Sequence, residues 1–201
     1  MAQYNLIKID KKLRKELDSD RYRHTLGVMY TSAALAMRYD ADLNHAQVAG
    51  LLHDCAKCIP NDKKLRMCEK AGLEVTDTEM KAPYLLHSKL GAYLAQEKYG
   101  VDDPDILGAI RSHTTGKPDM SLLEQIVFIA DYIEPMRWKA DNLARIRSLA
   151  FSDLEMAVYI TLRDTLLYLD KSDSSRIVDT MTEQAFHFYE ERINERGKLN
   201  E

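Results

Sequence analysis

The chain has 201 residues, 45% of them hydrophobic and 30% charged, with a formal net charge of -4 and a pI near 5.9. That length supplies one sizeable core and is short for two units with separate active sites, so a single domain over 1–201 is expected. The acidic balance gives no overall field for holding DNA or RNA, and no run approaches the roughly eighteen apolar residues of a membrane span.

Eight glycines and five prolines are few, and apolar residues recur mostly at three- and four-residue spacing, the period of helix rather than strand. The expected fold class is all-α, a helical bundle. The amino-terminal segment MAQYNLIKIDKK lacks the apolar stretch of a signal peptide, and a first helix is read near 8–18. A second, near 22–38, carries His24. After the turn RYDADLNH, a third near 43–56 is capped by Asp42 or Asn44 and holds the apolar run AQVAGLLHDCAK, with His53 and Asp54 adjacent at its end. Cys55 and Cys58 form a CxxC, and with Cys68 they make an odd number of thiols, which fits a reducing, cytoplasmic setting. Neither a thioredoxin-like context nor a second pair of zinc ligands is evident, so packing or incidental thiols are the preferred reading.

A fourth helix is read near 61–70 after IPND, and GLEVTD leads into a fifth over 78–98 with His87. YGVDDPD precedes a sixth near 104–113, with Pro104 in its first turn and His113 at its end. Past TTGKPDMS, a seventh near 120–135 is capped by Ser121 or Asp119. It sets Leu122, Leu123, Ile126, Val127, Ile129 and Ala130 against a core with Asp131 among them, and its pattern ends at Pro135. Two last helices are read near 141–169 and 177–197. The first has Leu149, Leu154, Val158, Leu162 and Leu166 as packing positions and no obvious ligand. The second carries Phe186, Phe188 and Tyr189, read as core contacts, while a homo-oligomer through them stays open.

A lone buried histidine is usually a satisfied core or cap residue. Here four of six histidines and two aspartates fall in apolar helical settings: His24, His53, Asp54, His87, His113 and Asp131. His45, after a polar loop, and His187, in the charged last helix, are read as surface or packing residues. An unpaired buried carboxylate costs on the order of several kcal/mol, and a bound cation removes that cost. Consecutive helical side chains diverge by about 100°, so His53 and Asp54 cannot face one ion as equivalent ligands. At a helix end the carboxylate can lie between two ions while the histidine serves one, which favours a dinuclear site. Such pairs activate water and neutralise phosphate oxygens, and nitrogen with carboxylate donors suits iron, manganese or zinc better than magnesium.

Cationic help for a phosphate has candidates beside these residues. Lys57 follows Asp54 by three positions, and Arg137 follows Asp131 in the same string; both are read as phosphate contacts. Arg111 and Lys117 flank His113 and are read either that way or as solvated charges. Thr114, Thr115 and Gly116 offer hydroxyl and backbone donors, although a plain turn accounts for the glycine equally well.

The pattern of His24, HDCAK from His53 to Lys57, His87, His113 and Asp131 resembles the HD-domain superfamily of metal-dependent phosphohydrolases. The longer strings AGLLHDCAK, AIRSHTTGKPDMS and IVFIADYIEPMR are similar to its YqeK-type branch, the symmetrical bis(5'-nucleosyl)-tetraphosphatases. The resemblance covers about residues 20 to 190, without departure at a ligand position. It implies an HD-domain bundle with a metal-binding core at about 20–135 and packing helices over 141–197. It further implies that His24, His53, Asp54 and Asp131 hold one metal, and that Asp54 bridges to a second completed by His87 and His113. The metals would be a pair of iron ions; Asp54, and Lys57 by its spacing to it, are read as the catalytic residues. The reaction would split diadenosine tetraphosphate in the middle into two ADP, making the partner a small nucleotide and not a nucleic acid. A related phosphohydrolase acting on mononucleotides or another phosphoester would share these ligands. A non-catalytic nucleotide sensor is the reading from another class, and the complete ligand set argues against it.

Overall fold

The structure is a computed structural model and describes residues 3–140, 142–171 and 178–198. Among these residues there are eleven α-helices and no strand, as an all-α bundle requires: α1 (Leu6–Leu13), α2 (Ser19–Tyr39), α3 (Leu43–Leu52), α4 (Asn61–Lys70), α5 (Asp77–Lys81), α6 (Leu86–Tyr99), α7 (Pro104–Ser112), α8 (Leu122–Ile133), α9 (Leu143–Ala150), α10 (Leu154–Lys171) and α11 (Thr180–Lys198). A 3-10 turn, Pro83–Leu85, joins α5 to α6.

Side chains define most of the starts. Asn5, Asp18, Asp42 and Asp103 each accept from a first-turn N–H, and Thr76 and Ser121 form reciprocal capping boxes with Glu79 and Glu124. Asp42 rather than Asn44 is therefore the cap of α3. Asn44 is engaged elsewhere, exchanging two hydrogen bonds with the main chain of Tyr4.

Four predicted helices differ, the third ending at Leu52 rather than 56, which leaves Asp54 in the turn beyond it. The first ends at Leu13 rather than 18, because Asp18 serves as the cap of α2. The helix expected over 78–98 is broken: Pro83 cannot donate within a helix, Ala82 leaves it at φ -127°, and α6 starts one residue before His87. The helix expected over 141–169 is two, separated at Phe151–Asp153, where Asp153 Oδ1 accepts from the N–H of Met156 and begins α10. Residues 141 and 177, where two helices were expected to start, lie outside the described residues. Leu122, expected in the core, is 40% exposed.

Helix α2 lies against α3 and α8, α7 crosses both of these, and α10 covers α8. Their inward faces bury Val28, Leu35, Leu51, Leu52, Ile126 and Ile129 completely, each worth about 1.5–3 kcal/mol of burial. Gly50 permits the closeness of α2 and α3: a Cβ there would stand 2.9 Å from the Cα of Met29. A smaller cluster of Ala56, Cys68, Leu86 and Leu90 seals α4 onto α6. Among the described residues no helix is long and apolar enough to cross a membrane.

Candidate metal centre

Five elements deliver the six predicted ligands to one place. His24 comes from the start of α2, His53 stands at the carboxyl end of α3 with Asp54 in the turn beyond it, His87 lies in the first turn of α6, His113 caps the end of α7, and Asp131 sits near the end of α8. The four histidines and Asp54 are buried.

Each imidazole is held from behind. His53 Nδ1 bonds the carbonyl of Gly50 at 2.7 Å, His87 that of Tyr84 at 2.6 Å and His113 that of Ile110 at 2.7 Å, in every case the residue three positions earlier. A carbonyl only accepts, so Nδ1 carries the proton and Nε2 of the neutral ring presents a lone pair. His24 Nδ1 instead faces Glu134 Oε1 at 3.1 Å.

The free edges converge. Asp131 Oδ1 lies 3.0 Å from His24 Nε2 and 4.0 Å from His53 Nε2. Asp54 divides its two oxygens: Oδ2 is 3.4 Å from His53 Nε2 and 3.9 Å from His24 Nε2, while Oδ1 is 3.2 Å from His87 Nε2 and 3.6 Å from His113 Nε2. His24 Nε2, His53 Nε2 and Asp54 Oδ1 are buried without a hydrogen-bond partner, and His87 and His113 bring their Nε2 atoms within 3.2 Å of each other. Opposed lone pairs and orphaned buried acceptors are costly unless a cation lies among them. The residues fit metal ions. Two groups have donor atoms within 4.8 Å of one another, His24 with His53 and Asp131, and His53 with Asp54 and His113. His53 thus stands in both groups, and His87 meets Asp54 Oδ1 from the far side.

Charge states suit such ions. Burial opposes ionisation of Asp54, yet His53, His113 and His87 around it hold its carboxyl well below the usual range. Burial opposes ionisation of Asp131 too, and His24, His53 and Arg137 hold it low. Burial pushes His87 down to about 4, which leaves it neutral and able to donate at physiological pH.

Cations surround the carboxylates. Arg21 donates to Asp54 Oδ2 at 2.8 Å, Arg137 to Asp131 Oδ1 at 2.9 Å, and Lys57 Nζ is 3.7 Å from Asp54 Oδ1 and 3.0 Å from His87 Nε2. Thr114 Oγ1 is 3.0 Å from Nε2 of both His87 and His113. Beside His24 a cleft of about 750 Å³ opens, lined by Arg21, Arg23, Arg137, Trp138 and Lys139 among others. Arg111, Thr115, Gly116 and Lys117 line a separate groove of about 460 Å³ that includes none of the six ligand candidates, and Lys117 pairs there with Glu124 at 3.1 Å. His45 is buried beside Asp103, His187 is exposed, and the CxxC thiols diverge, Cys55 to the Gly91 carbonyl and Cys58 to Asp18.

Two residues at the centre were missed in the sequence reading, Arg21 and Glu134. Each lies three positions from a predicted ligand, one before His24 and the other after Asp131, and that spacing is the signal that points to them. Gly27 makes room for Glu134, since a Cβ there would stand 2.5 Å from its Oε2.

The HD domain family model matches residues 21–136, and this chain belongs to the HD-domain superfamily of metal-dependent phosphohydrolases. Within that class it is closely related to the YqeK-type symmetrical bis(5'-nucleosyl)-tetraphosphatases. The Bacillus subtilis (strain 168) protein of that description is 40% identical over 170 residues, 84% of this chain and 89% of the relative. The Staphylococcus aureus (strain NCTC 8325 / PS 47) protein is 31% identical over 196 residues, 95% and 99% of the two chains. The crystal structure of a predicted HD superfamily hydrolase involved in NAD metabolism from Clostridium acetobutylicum matches with a TM-score of 0.89 and 39% identity, over 95% of this chain and all of that one.

Proposed function

We propose that the chain hydrolyses dinucleoside tetraphosphates symmetrically, water adding to an inner phosphorus as the central anhydride breaks to give two nucleoside diphosphates. The observation that carries this reading is the division of Asp54 between two pairs of histidine nitrogens, in a chain closely similar to symmetrical tetraphosphatases. His24, His53, Asp54 and Asp131 are assigned to one ion, and Asp54, His87 and His113 to the other. Iron is the proposed metal, and manganese or zinc suits the same donors. When bound, the ions supply Lewis acidity, lowering the pKa of water and neutralising charge on phosphate oxygens.

The remaining work falls to side chains. Lys57 sits against His87 and Asp54 and is assigned to the inner phosphates, where it offsets charge that grows as the anhydride breaks. The Thr114 hydroxyl donates beside it. Arg21 and Arg137 orient the two ligand carboxylates and flank the cleft, where they hold the phosphate chain. Arg111, Thr115, Gly116 and Lys117, all within three residues of Thr114, are assigned to the part of the substrate beyond the cleaved bond. Residues 1–201 are taken as one catalytic domain, with the metal-binding core at about 20–135 and the later helices packed on it. The three free thiols suit a reducing cytoplasm.

The test is incubation with diadenosine tetraphosphate in water labelled with heavy oxygen. ADP should be the only nucleotide product, and one of every two ADP molecules should carry the label on its terminal phosphate. ATP with AMP would mean asymmetric cleavage, and preferred turnover of a mononucleotide in competition would move the chain to the wider phosphohydrolase group. No product from a sample of verified metal content would make it a sensor.

A further inference from the structure

Trp138 is the only tryptophan in the sequence, and its side chain is 77% exposed. A ring of that size is among the largest apolar areas a core can bury, so its exposure calls for a use. It lines the cleft that also contains His24, Arg21, Arg23, Arg137 and Lys139. The path from the centre to the ring is short: Asp131 Oδ1 is 3.0 Å from His24 Nε2, Arg137 donates to that same oxygen, and Trp138 is the next residue. Arg147 holds this segment, donating to the carbonyls of Ile133, Glu134 and Arg137. Lys139 Nζ stands over the indole, 4.5 Å from its centroid, and the residue as a whole stays largely exposed.

We propose that Trp138 is the stacking platform for one nucleobase of the substrate, a subsite that rests on the dinucleotide reading and makes this residue the element selecting a nucleotide over a bare phosphate chain. Guanidinium groups near the centre match the phosphates, and the indole one step outward matches the base. Among the described residues, the second groove, along Arg111 and Lys117, has no aromatic side chain in its lining and offers no equivalent surface. Stacking accepts every base through its π-face, so the subsite distinguishes nucleotide from polyphosphate and not adenine from guanine.

With one tryptophan in the chain, intrinsic fluorescence reads this ring directly. ADP added to zinc-loaded protein should quench the emission saturably, and pyrophosphate, the same anion without a base, should not. In turnover, Trp138→Ala should raise KM for diadenosine tetraphosphate about 5- to 150-fold with a much smaller change in kcat. Trp138→Phe should recover most of that loss, and inhibition by pyrophosphate should be the same in both variants. Equal quenching by ADP and pyrophosphate, or a wild-type KM in an active Trp138→Ala protein, would overturn the subsite. Failure of the activity looks different: base-dependent quenching without ADP formation would remove the tetraphosphatase reading and keep the platform.

Discussion

His24 Nδ1 lies 3.1 Å from Oε1 of Glu134, a carboxylate only 1% exposed. The other three histidines of the centre turn the same nitrogen to a main-chain carbonyl, so His24 alone is backed by an acidic side chain. A carboxylate behind an imidazole fixes the tautomer and makes the opposite nitrogen a stronger donor. The other oxygen of Glu134 accepts from the N–H of Met136 at 2.6 Å, which orients the carboxyl as a whole.

Glu134→Gln keeps the shape and an acceptor but removes the charge. Metal affinity at the His24 position should fall about 10- to 100-fold, while the position served by His87 and His113 changes little. Competition with a chelator on the apo protein reads both affinities without any turnover. Gly27→Ala should act in the same direction by displacing Glu134. Unaltered binding in both variants would leave Glu134 no orienting role.

Asp54 and Lys57 separate a ligand from a substrate contact. Asp54→Ala should lose both ions and all turnover, because each of its oxygens faces a different pair of histidines. Lys57→Ala should keep its metal and lose kcat on the order of 100-fold, the cost of removing one preorganised donor. Elemental analysis beside steady-state kinetics makes the comparison. An Asp54→Ala protein with two ions and normal turnover would end the bridging assignment.

Residue type and helical setting made the six ligand candidates legible, because histidines and aspartates inside apolar segments are rare. Arg21 was not, since within the run SDRYR it reads as one more solvated charge, and Glu134 reads as a polar helix end before Pro135. Nearness in sequence to His113 does not by itself set Arg111 beside the metal ligands. Two helical steps place it about 200° around α7 from His113, and it lines the other groove. Helix existence was clear from the apolar period, but the break at Phe151–Asp153 was hidden because that period runs on through SLAFSDLEMA. The break at Pro83 was marked by the proline itself, which the sequence reading carried through a continuous helix.

Gly50→Ala tests the closeness of α2 and α3. Alanine favours helix by about 1 kcal/mol over glycine, but its Cβ would meet Met29 Cα and Ser32 Oγ at 2.9 Å. Overpacking against main chain costs about 1–3 kcal/mol, so the variant should lose up to about 2 kcal/mol net and melt up to about 8 °C lower. A higher Tm in thermal unfolding would show that the helices part freely.

The thiols should differ in reactivity. Cys58 is exposed, whereas Cys55 and Cys68 are buried, and burial pushes the Cys55 thiol up to about 12. Iodoacetamide at about pH 8 should modify Cys58 alone in the native protein and all three in denaturant, as counted by mass spectrometry. Rapid native labelling of Cys55 would mean that the turn after Asp54 opens readily.

Metal removal should be felt by the whole bundle, because the centre ties α2, α3, α6, α7 and α8 together. Without cations, three buried donor atoms lack partners and two imidazole nitrogens face each other at 3.2 Å, so the empty site favours separation of these helices. A ligand that binds only the folded state stabilises it by about 4 kcal/mol at a thousand times its Kd, and for a chain of this size that is a Tm difference on the order of 8–16 °C. Chelated protein should therefore melt well below reconstituted protein, and native protein purified without oxygen should contain about two ions per chain. Refilling should restore Tm in two steps, the His24 position first, because it combines Asp131 with the carboxylate-backed imidazole and the other position has Lys57 pressed against His87. One ion per chain with full activity would remove the second metal position, and equal Tm with and without metal would mean that the bundle holds its geometry unaided.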